Sequence, residues 1–391
     1  MNTLVGVGIS HQRQTIRAAQ EAVQQALSAG QIDRPDFVFL FCSLGYAPEK
    51  LLQAVRQATG HCPLAGCSGQ GVIVQGEVDE SSFSVAVMVI QSDELRFANR
   101  MVSRQDQSFE QVGEILGSKL QAVLPDDPIA LFLFTDGLSL NFDRLATGLQ
   151  SGLNLTQSVP ILGGAAGSDM DMQITYQFCD DRVITDGVVG TLMSGTAQIA
   201  WAYNHGCEPI GTEYQITKSQ RNIIYELDGK PVFDVLRQYL TEDEIERWDG
   251  TIVSFCFGLK VPGSDDFLIR YLPQKDEATG AVMLQTEVTD YPSLWVMRRD
   301  QEKILQGTEM LARSLRDSLQ GQKPKFVFQF DCYGRGKSIF TKQQNQQMLQ
   351  HVQQIVGPDV PWIGLYTHGE IAPIGNQQVF HNYTLVLTAI Y

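Results

Sequence analysis

The sequence has few basic side chains for its length, and they are not clustered. Its 391 residues include 29 Lys and Arg against 44 Asp and Glu, so the formal net charge is −15. Binding to nucleic acid phosphates needs clustered Lys and Arg, and no basic stretch of the kind that contacts nucleic acid occurs. The composition therefore argues against a nucleic acid partner, and the acidic surface mainly provides solubility.

Long hydrophobic runs and paired cysteine motifs are also missing. No apolar run approaches the ~20 residues needed to cross a bilayer, and the N-terminus lacks the basic region and the small-residue cleavage site of a secretory signal. The seven cysteines are scattered and include no CxxC pair, which argues against a disulfide framework and a structural zinc site. We expect a reduced cytoplasmic protein without a membrane span or a metal site.

What the sequence does have is a repeated pattern of apolar run, helical stretch and glycine turn. Three β-like runs, at 37–43, 129–136 and 326–332, are each followed by a helical pattern. Each helical pattern leads into a proline, an apolar residue, any residue and a glycine, and these glycines are Gly66, Gly163 and Gly364. A strand-like run closed by a helix and a glycine turn is typical of a βαβ unit, and three copies indicate internal repetition.

The pattern along the chain predicts an α/β fold with α+β character in places. We expect two related halves, each built from repeated strand–helix–strand units with mixed sheets. The length favours two domains, and we place them at residues 1–222 and 223–391, although no Ser- or Pro-rich linker marks the boundary.

Two polar motifs follow predicted strands in the C-terminal half. Residues 332–336 (Cys-Tyr-Gly-Arg-Gly) follow one strand, and residues 367–370 (Thr-His-Gly-Glu) follow the next. Adjacent strands would bring both loops to one sheet edge, where open α/β sheets bind ligands. Glycines there let backbone amides approach a ligand, and Arg335 is expected to clamp a carboxylate. We therefore predict a pocket for a small, partly anionic molecule, lined by Cys332, Gly334, Arg335, Thr367, His368, Gly369 and Glu370.

Each of these residues also has a purely structural interpretation. The glycines of 332–336 can simply form a turn, with Arg335 paired to a surface acid, and Cys332 is more often a small buried apolar residue than a nucleophile. His368 and Glu370 share a face if their segment is a strand, and a structural hydrogen bond is as consistent with that as a ligand contact. His381 and Asn382, two further ligand-binding candidates, enter a buried strand where polar residues often satisfy backbone groups.

Secondary candidates lie in the first half and near the junction of the halves. Residues 163–167 resemble a phosphate loop, but the Gly-Lys-Ser/Thr ending and the GxGxxG fingerprint are absent. His205 and Cys207, which are separated by one glycine, could ligate haem iron. The sequence has no CxxCH attachment motif, however, and a tight turn with a buried thiol is the simpler interpretation. We expect no obligate haem. The secondary candidates are Gly66, Cys67, Gly163, Gly164, His205 and Cys207.

Taken together, these motifs resemble the FIST family, the F-box and intracellular signal transduction proteins, over nearly the whole chain. Residues 66–68 and 163–167 are similar to the family's N domain, residues 205–211 and 226–231 to the passage between its halves, and residues 330–336, 364–373 and 381–385 to its C domain. The resemblance implies a sensory or ligand-binding role, with amino acids among the small ligands proposed, and haem-based nitric oxide sensing in some members. Many relatives are fused to signalling domains that this sequence does not show, so the resemblance implies a separate signalling partner such as a histidine kinase or a cyclase.

Three functions remain open from the sequence. We favour a cytoplasmic small-molecule sensor whose pocket lies at the loops after the repeat strands of the C-terminal half. One alternative is a thiol-dependent acyl transferase or hydrolase that uses Cys332 with His368, which would need a base within reach and an oxyanion hole. The other alternative is a haem-binding nitric oxide sensor.

Overall fold

Three sheets of the same strand order make up most of the molecule, and a fourth sheet is inserted into the third unit. The computed structural model describes residues 2–125, 127–154, 159–169, 172–261, 263–288 and 291–391. Its mixed parallel and antiparallel sheets, combined with helices, confirm the predicted fold class. Among the described residues, no helix has the length and apolar character needed to cross a membrane.

The first unit, residues 3–92, runs strand, helix, strand, helix, strand, hairpin, strand. Its central pair is parallel, and a long antiparallel strand follows on one side. The elements are β1 (Thr3–Ser10), α1 (Thr15–Gly30), β2 (Phe37–Cys42), α2 (Pro48–Ala58), β3 (Leu64–Ser68), β4 (Val72–Val74), β5 (Glu77–Asp79) and β6 (Val85–Ser92). The strand order β1-β6-β2-β3 results.

The second unit, residues 95–195, repeats this order. Its elements are β7 (Leu95–Ser103), α3 (Phe109–Gln121), β8 (Pro128–Thr135), α4 (Phe142–Leu153), β9 (Ile161–Ala165), β10 (Gln177–Cys179), β11 (Arg182–Ile184) and β12 (Gly187–Gly195). The corresponding strand order is β7-β12-β8-β9.

The third unit is interrupted after its first strand by the insert, which we define as residues 207–299. The insert forms a separate antiparallel sheet with three short helices, and the predicted domain boundary at residue 222 falls in a turn of this sheet. Its elements, preceded by β13 (Ile199–Asn204), are β14 (Cys207–Gln220), β15 (Ile223–Leu227), β16 (Lys230–Pro231), α5 (Val232–Leu236), α6 (Glu242–Glu246), α7 (Trp248–Thr251), β17 (Phe255–Lys260), β18 (Phe267–Arg270), β19 (Gln274–Asp276), β20 (Ala281–Met283) and β21 (Ser293–Arg299).

The chain then completes the third unit in the same order as the other two. Its remaining elements are α8 (Gln301–Ser318), β22 (Phe326–Cys332), α9 (Lys342–Val356), β23 (Trp362–Thr367), β24 (Gly369–Ile374), β25 (Gln377–His381) and β26 (Leu385–Ile390). The strand order β13-β26-β22-β23 matches those of the first two units. A short 3-10 turn over Tyr333–Arg335 follows β22.

Each unit gives its hairpin to the sheet of another unit. The hairpin β10–β11 of the second unit extends the first sheet by pairing with β3, and β24–β25 of the third unit extends the second sheet by pairing with β9. The hairpin β4–β5 of the first unit closes the cycle by pairing with β23. The three units are therefore joined by backbone hydrogen bonds as well as by side-chain packing.

The three sheets face a common core that contains equivalent phenylalanines. Ring centroids of Phe39, Phe132 and Phe328 lie 6.2, 4.8 and 4.8 Å apart. The opposite faces of the sheets are covered by the helix pairs α1–α2, α3–α4 and α8–α9. Because β2, β8 and β22 are covered on both faces, they are apolar at almost every position, which is what the sequence pattern of a buried parallel strand predicts.

The repeated glycines occupy the same place in each unit. Gly66, Gly163 and Gly364 pair with Leu40, Leu133 and Gln329 on the neighbouring parallel strands. A Cβ atom would lie 1.8 to 2.1 Å from the carbonyl oxygen of each of these partners. Glycine is therefore required at these positions for the close approach of two backbones.

Candidate functional site

A small cavity lies where the three-unit core meets the insert. The volume that the centre of a water molecule can occupy in it is about 30 Å³. Tyr271 and Gln285 of the insert form one side, and turns after strands of the second and third units form the rest. The lining consists of Gly137, Met172, Tyr271, Gln285, Cys332, Tyr333, His368, Asn382 and Tyr383. Three predicted ligand-binding residues, Cys332, His368 and Asn382, are therefore brought together here.

The adjacency of β22 and β23 explains why the two predicted loops meet. The strands are parallel, and Cys332 at the end of one pairs with Thr367 at the end of the other. The loops that follow therefore leave the sheet at the same edge, as the sequence argument expected. His368 comes directly after Thr367, and Tyr333 comes directly after Cys332.

His368 is the residue at which the units and the insert converge. Its N–H donates to Ala165 O at 3.0 Å, its ring Nε2 accepts the Ser168 N–H at 3.2 Å, and its carbonyl accepts from Gln285 Nε2 at 3.1 Å. The side chain is buried, and Nδ1 makes no hydrogen bond of full geometry among the described residues, although the Gly137 backbone is close enough to act on the ring. Since Nε2 is an acceptor, we assign the proton of the neutral ring to Nδ1.

Burial also keeps the His368 ring neutral. It lowers the pKa of His368 to about 4, and the Gly137 backbone and the Asp136 charge oppose this only in part. A neutral ring is what the hydrogen bond from the Ser168 N–H requires, because a protonated imidazole has no acceptor. The cavity therefore contains a buried N–H donor whose nearby protein acceptor is the Gly137 backbone, outside full hydrogen-bond geometry.

Aromatic rings form most of the remaining cavity wall. The Tyr333 ring meets the His368 ring edge to face at 5.2 Å, and the Tyr271 and Tyr383 rings meet in the same way at 5.8 Å. Burial raises the pKa of the Tyr271 hydroxyl and of the Tyr333 hydroxyl. The wall thus offers neutral hydroxyls and ring edges rather than side-chain charges.

Asn382 joins the two sides of the cavity. Its Oδ1 accepts the Tyr271 N–H at 3.1 Å, and its Nδ2 donates to Gln285 Oε1 at 2.6 Å and to His381 O at 3.1 Å. These bonds fix Asn382 against the insert. Asn382 therefore has a structural role as well as a place in the lining.

Cys332 lacks the surroundings of a catalytic thiol. Burial, followed by the charge of Glu370, raises the pKa of Cys332 well above its ordinary value, so the thiol is neutral at physiological pH. His368 cannot act as its base in the assigned state, because Nε2 is occupied by the Ser168 N–H and Nδ1 carries the proton. The thiol-dependent enzyme alternative therefore has neither a thiolate nor an available base.

Arg335 does not line the cavity, in contrast to the expectation of a carboxylate clamp. Its side chain is fully buried, and its Nε donates to Asp331 Oδ1 at 2.8 Å. Its Nη2 donates to Thr308 Oγ1 at 2.7 Å, and its Nη1 donates to the His205 carbonyl at 3.5 Å. Internal groups therefore satisfy this guanidinium, and the sequence signal for it was the acid four residues earlier, Asp331.

Glu370 and its neighbours lie behind the cavity rather than in it. Glu370 accepts from Thr367 Oγ1 at 2.7 Å and from the Thr384 N–H at 3.1 Å, and burial raises its pKa well above the ordinary value. Gly369 leaves room for the ring of Phe380, since a Cβ there would lie 2.0 Å from Cζ. These residues hold the loop in place.

Two other predicted residues of the C-terminal half also make internal contacts. His381 Nε2 is 3.0 Å from Ala372 O, and burial lowers the pKa of His381 to about 3. The Gly334 backbone packs directly against Tyr383, since an added Cβ atom would lie 2.7 Å from the Tyr383 ring. Gly334 therefore helps to shape the wall without contacting the cavity.

The secondary candidates of the first half lie on buried strands outside the cavity lining. Cys67 is fully buried, and burial raises the pKa of its thiol well above the ordinary value. Gly164 lies against Thr367, since an added Cβ would be 2.5 Å from the Thr367 Cγ2 atom. Gly66 and Gly163 have the backbone role described above.

His205 and Cys207 lie in a tight turn outside the cavity lining. His205 Nδ1 accepts the Cys207 N–H at 2.9 Å, so the turn itself uses this nitrogen. Neither residue is in the lining of the cavities found among the described residues. That part of the chain also contains no group of three or more His, Cys, Asp or Glu side chains arranged to hold a metal ion.

Several lining residues were not identified from the sequence. Tyr333 and Tyr383 adjoin the predicted motifs, and an aromatic residue directly after a polar strand end could have indicated them. Tyr271 and Gln285 belong to the insert, whose placement over the loops has no local sequence signal.

Comparison with known proteins identifies the family. The FIST N domain matches residues 36–230, and the FIST C domain matches residues 233–373. Uncharacterized proteins of Mycobacterium tuberculosis and Mycobacterium bovis are 26% and 24% identical, each over 97% of both chains. A protein of Methanocaldococcus jannaschii is 24% identical over 73% of this chain and 58% of its own.

Similarity to solved structures is slight. The PurLQS structure from Thermotoga maritima aligns with 99% of this chain and 72% of its own at 8% identity, but the TM-score of 0.24 supports no conclusion. The two domain matches, in contrast, cover most of the sequence. FIST domains are associated with sensing in signal transduction, and this protein belongs to the FIST family.

Proposed function

We propose that the protein is a cytoplasmic sensor that binds a small molecule in the cavity around His368 and acts through a separate signalling partner. The observation that carries the proposal is a cavity at the junction of core and insert that brings together Cys332, His368 and Asn382, with the buried His368 Nδ1–H held by no hydrogen bond of full geometry among the described residues. Buried donors are nearly always satisfied, and an unmade bond costs about 1–3 kcal/mol. A ligand that accepts this hydrogen bond would recover that cost.

The position of the cavity supports a sensing role. Its wall combines residues of the core with Tyr271 and Gln285 of the insert, and Gln285 is bonded directly to the His368 carbonyl. A ligand that touches both sides changes the free energy of their contact. Ligand sites commonly lie at such junctions. A partner that contacts the insert would then respond to the presence of the ligand in the cavity.

The size of the cavity limits what it takes in this conformation. A water molecule needs about 10–15 Å³ measured in this way, so 30 Å³ suits a ligand of a few non-hydrogen atoms. A free amino acid would require Tyr271 and Gln285 to move outwards.

A ligand screen with variants tests the proposal. Thermal midpoints are measured with small polar molecules and amino acids, and hits are titrated into His368→Gln and Tyr333→Phe. Glutamine can still accept the Ser168 N–H, which preserves the loop. His351→Gln is the control because His351 is exposed and distant from the lining. We expect the first two variants to lose the ligand-induced shift and the control to keep it, and equal binding by His368→Gln would exclude this cavity.

A further inference from the structure

Arg299, the last residue of β21, is a buried arginine without an acidic partner among the described residues. Its side chain is 2% exposed, Nε donates to Val253 O at 2.9 Å and Nη2 donates to Gly334 O. Nη1 has no partner in that part of the chain. A buried charge is normally paired, because its removal from water is costly.

The nearby acids do not neutralise Arg299. Asp331 is bonded to Arg335, and the described residues show no ion pair between Arg299 and any carboxylate. Glu370 is bonded to Thr367 and to the Thr384 N–H rather than to Arg299, and burial raises its pKa well above the ordinary value. Among the described residues, no carboxylate is therefore paired directly with the Arg299 guanidinium.

The guanidinium of Arg299 lies directly behind the cavity wall. Its central carbon is 4.1 Å from the centroid of the Tyr383 ring, and Tyr383 lines the cavity. Its other contact, Gly334 O, is separated by one residue from the lining residue Cys332. The charge of Arg299 also lowers the pKa of Cys332 and of Tyr333, although burial dominates at both. Its field therefore reaches the cavity.

We propose that the cavity takes a small anion, such as a monocarboxylate of a few atoms, and that Arg299 rather than Arg335 supplies the balancing charge. This inference rests on the proposed function and specifies the ligand class. The His368 Nδ1–H donates a hydrogen bond to the anion, and Arg299 attracts it from behind Tyr383. In a protein with a net charge of −15, this buried guanidinium without an acidic partner selects for an anion inside while the surface repels anions in general.

Isosteric pairs of probes separate charge from shape. ¹³C-labelled formate and acetate are titrated by NMR against formamide and acetamide at an ionic strength held constant with sodium chloride. We expect saturable binding of at least one carboxylate and much weaker binding of its amide. Arg299→Met should weaken carboxylate binding roughly tenfold or more, as expected for a charge several ångströms away in a protein interior. Arg299→Lys should retain part of the affinity.

Arg298→Met is the matched control. Arg298 is the preceding residue on the same strand, but it is part exposed and paired with Glu244 at 3.1 Å. Its loss should leave binding unchanged. If Arg299→Met does not fold, titrating each carboxylate and its amide against the wild-type protein and against Arg299→Lys still tests whether the cavity prefers an anion.

The outcomes separate the two proposals. Equal binding of an amide and its carboxylate, or unchanged carboxylate binding in a folded Arg299→Met, would overturn the anion inference. If such binding still depends on His368, the sensor proposal stands with a neutral ligand. If no probe and no molecule of the wider screen depends on His368, both proposals fail.

Discussion

Replacement of Arg335 by alanine should destabilise the protein strongly. From the sequence, Arg335→Ala would affect ligand binding and leave the stability of the ligand-free protein nearly unchanged. In the structure, however, Arg335 and Asp331 are both 0% exposed and joined at 2.8 Å. Removal of the guanidinium leaves the buried Asp331 carboxylate with Gln329 as its side-chain hydrogen-bond partner among the described residues. Loss of one partner from a buried pair costs about 3–5 kcal/mol, because the remaining charge is uncompensated.

The chain offers a control with the same spacing and different burial. Arg313 and Glu309 are also four residues apart and are joined at 2.7 Å, but their side chains are 53% and 41% exposed. Exposed pairs of this kind contribute about 0.3–0.5 kcal/mol. Arg313→Ala should therefore cost about one tenth as much as Arg335→Ala, although the hydrogen-bond distances are nearly equal.

Denaturant unfolding of both variants, monitored by Trp fluorescence, measures the difference. The double variant Arg335→Met with Asp331→Asn should recover part of the loss, because it removes the stranded charge. A loss below about 1 kcal/mol in Arg335→Ala would refute the assignment of a buried structural pair. It would also restore Arg335 as a possible ligand contact.

Three further predictions concern pH, backbone and core. Below pH 6.5 His368 becomes protonated in the unfolded chain but stays neutral in the folded protein, where its pKa is about 4, so the free energy of unfolding should fall by about 3 kcal/mol between pH 6.5 and pH 4. His368→Gln should remove this part of the pH dependence, and the same pH dependence in the variant and the wild type would contradict a buried neutral His368. Gly163 has φ +136° and lies against Leu133 O, whereas Gly250 faces open space, so chemical unfolding should show a loss well above 1 kcal/mol for Gly163→Ala and almost none for Gly250→Ala. Phe328→Ala should cost about 3–5 kcal/mol in the same assay because the ring is fully buried between all three sheets, and a cost near 1 kcal/mol would mean that the core closes around the gap.

Much of the fold could be predicted because its signals are local and repeated. The apolar runs at 37–43, 129–136 and 326–332 became the central strands, and the shared glycines mark where parallel backbones approach. The adjacency of consecutive strands in βαβ units was sufficient to bring Cys332 and His368 to one edge. These inferences needed only periodicity and chain order.

The remainder of the site depends on contacts between distant segments. Tyr271 and Gln285 reach the cavity because the insert folds back over the loops, and no local pattern specifies that placement. The same holds for Arg299, whose buried position next to Tyr383 depends on two separate sheets. A sequence motif can identify an arginine near a glycine turn. The three-dimensional structure is needed to show that Arg335 is paired with Asp331, whereas Arg299 has no acidic partner among the described residues.

The exchange of hairpins has a consequence for folding during synthesis on the ribosome. Val74 of the first unit pairs with Ile363 of β23, so this early hairpin has no neighbouring strand until β23 has been made. The first sheet is likewise extended only after β10 and β11 have been made. Such long-range pairing slows folding and leaves strand edges exposed in nascent chains. The nascent chain should therefore need chaperone protection until β23 has been synthesised, and neither half released alone would contain a complete set of sheets.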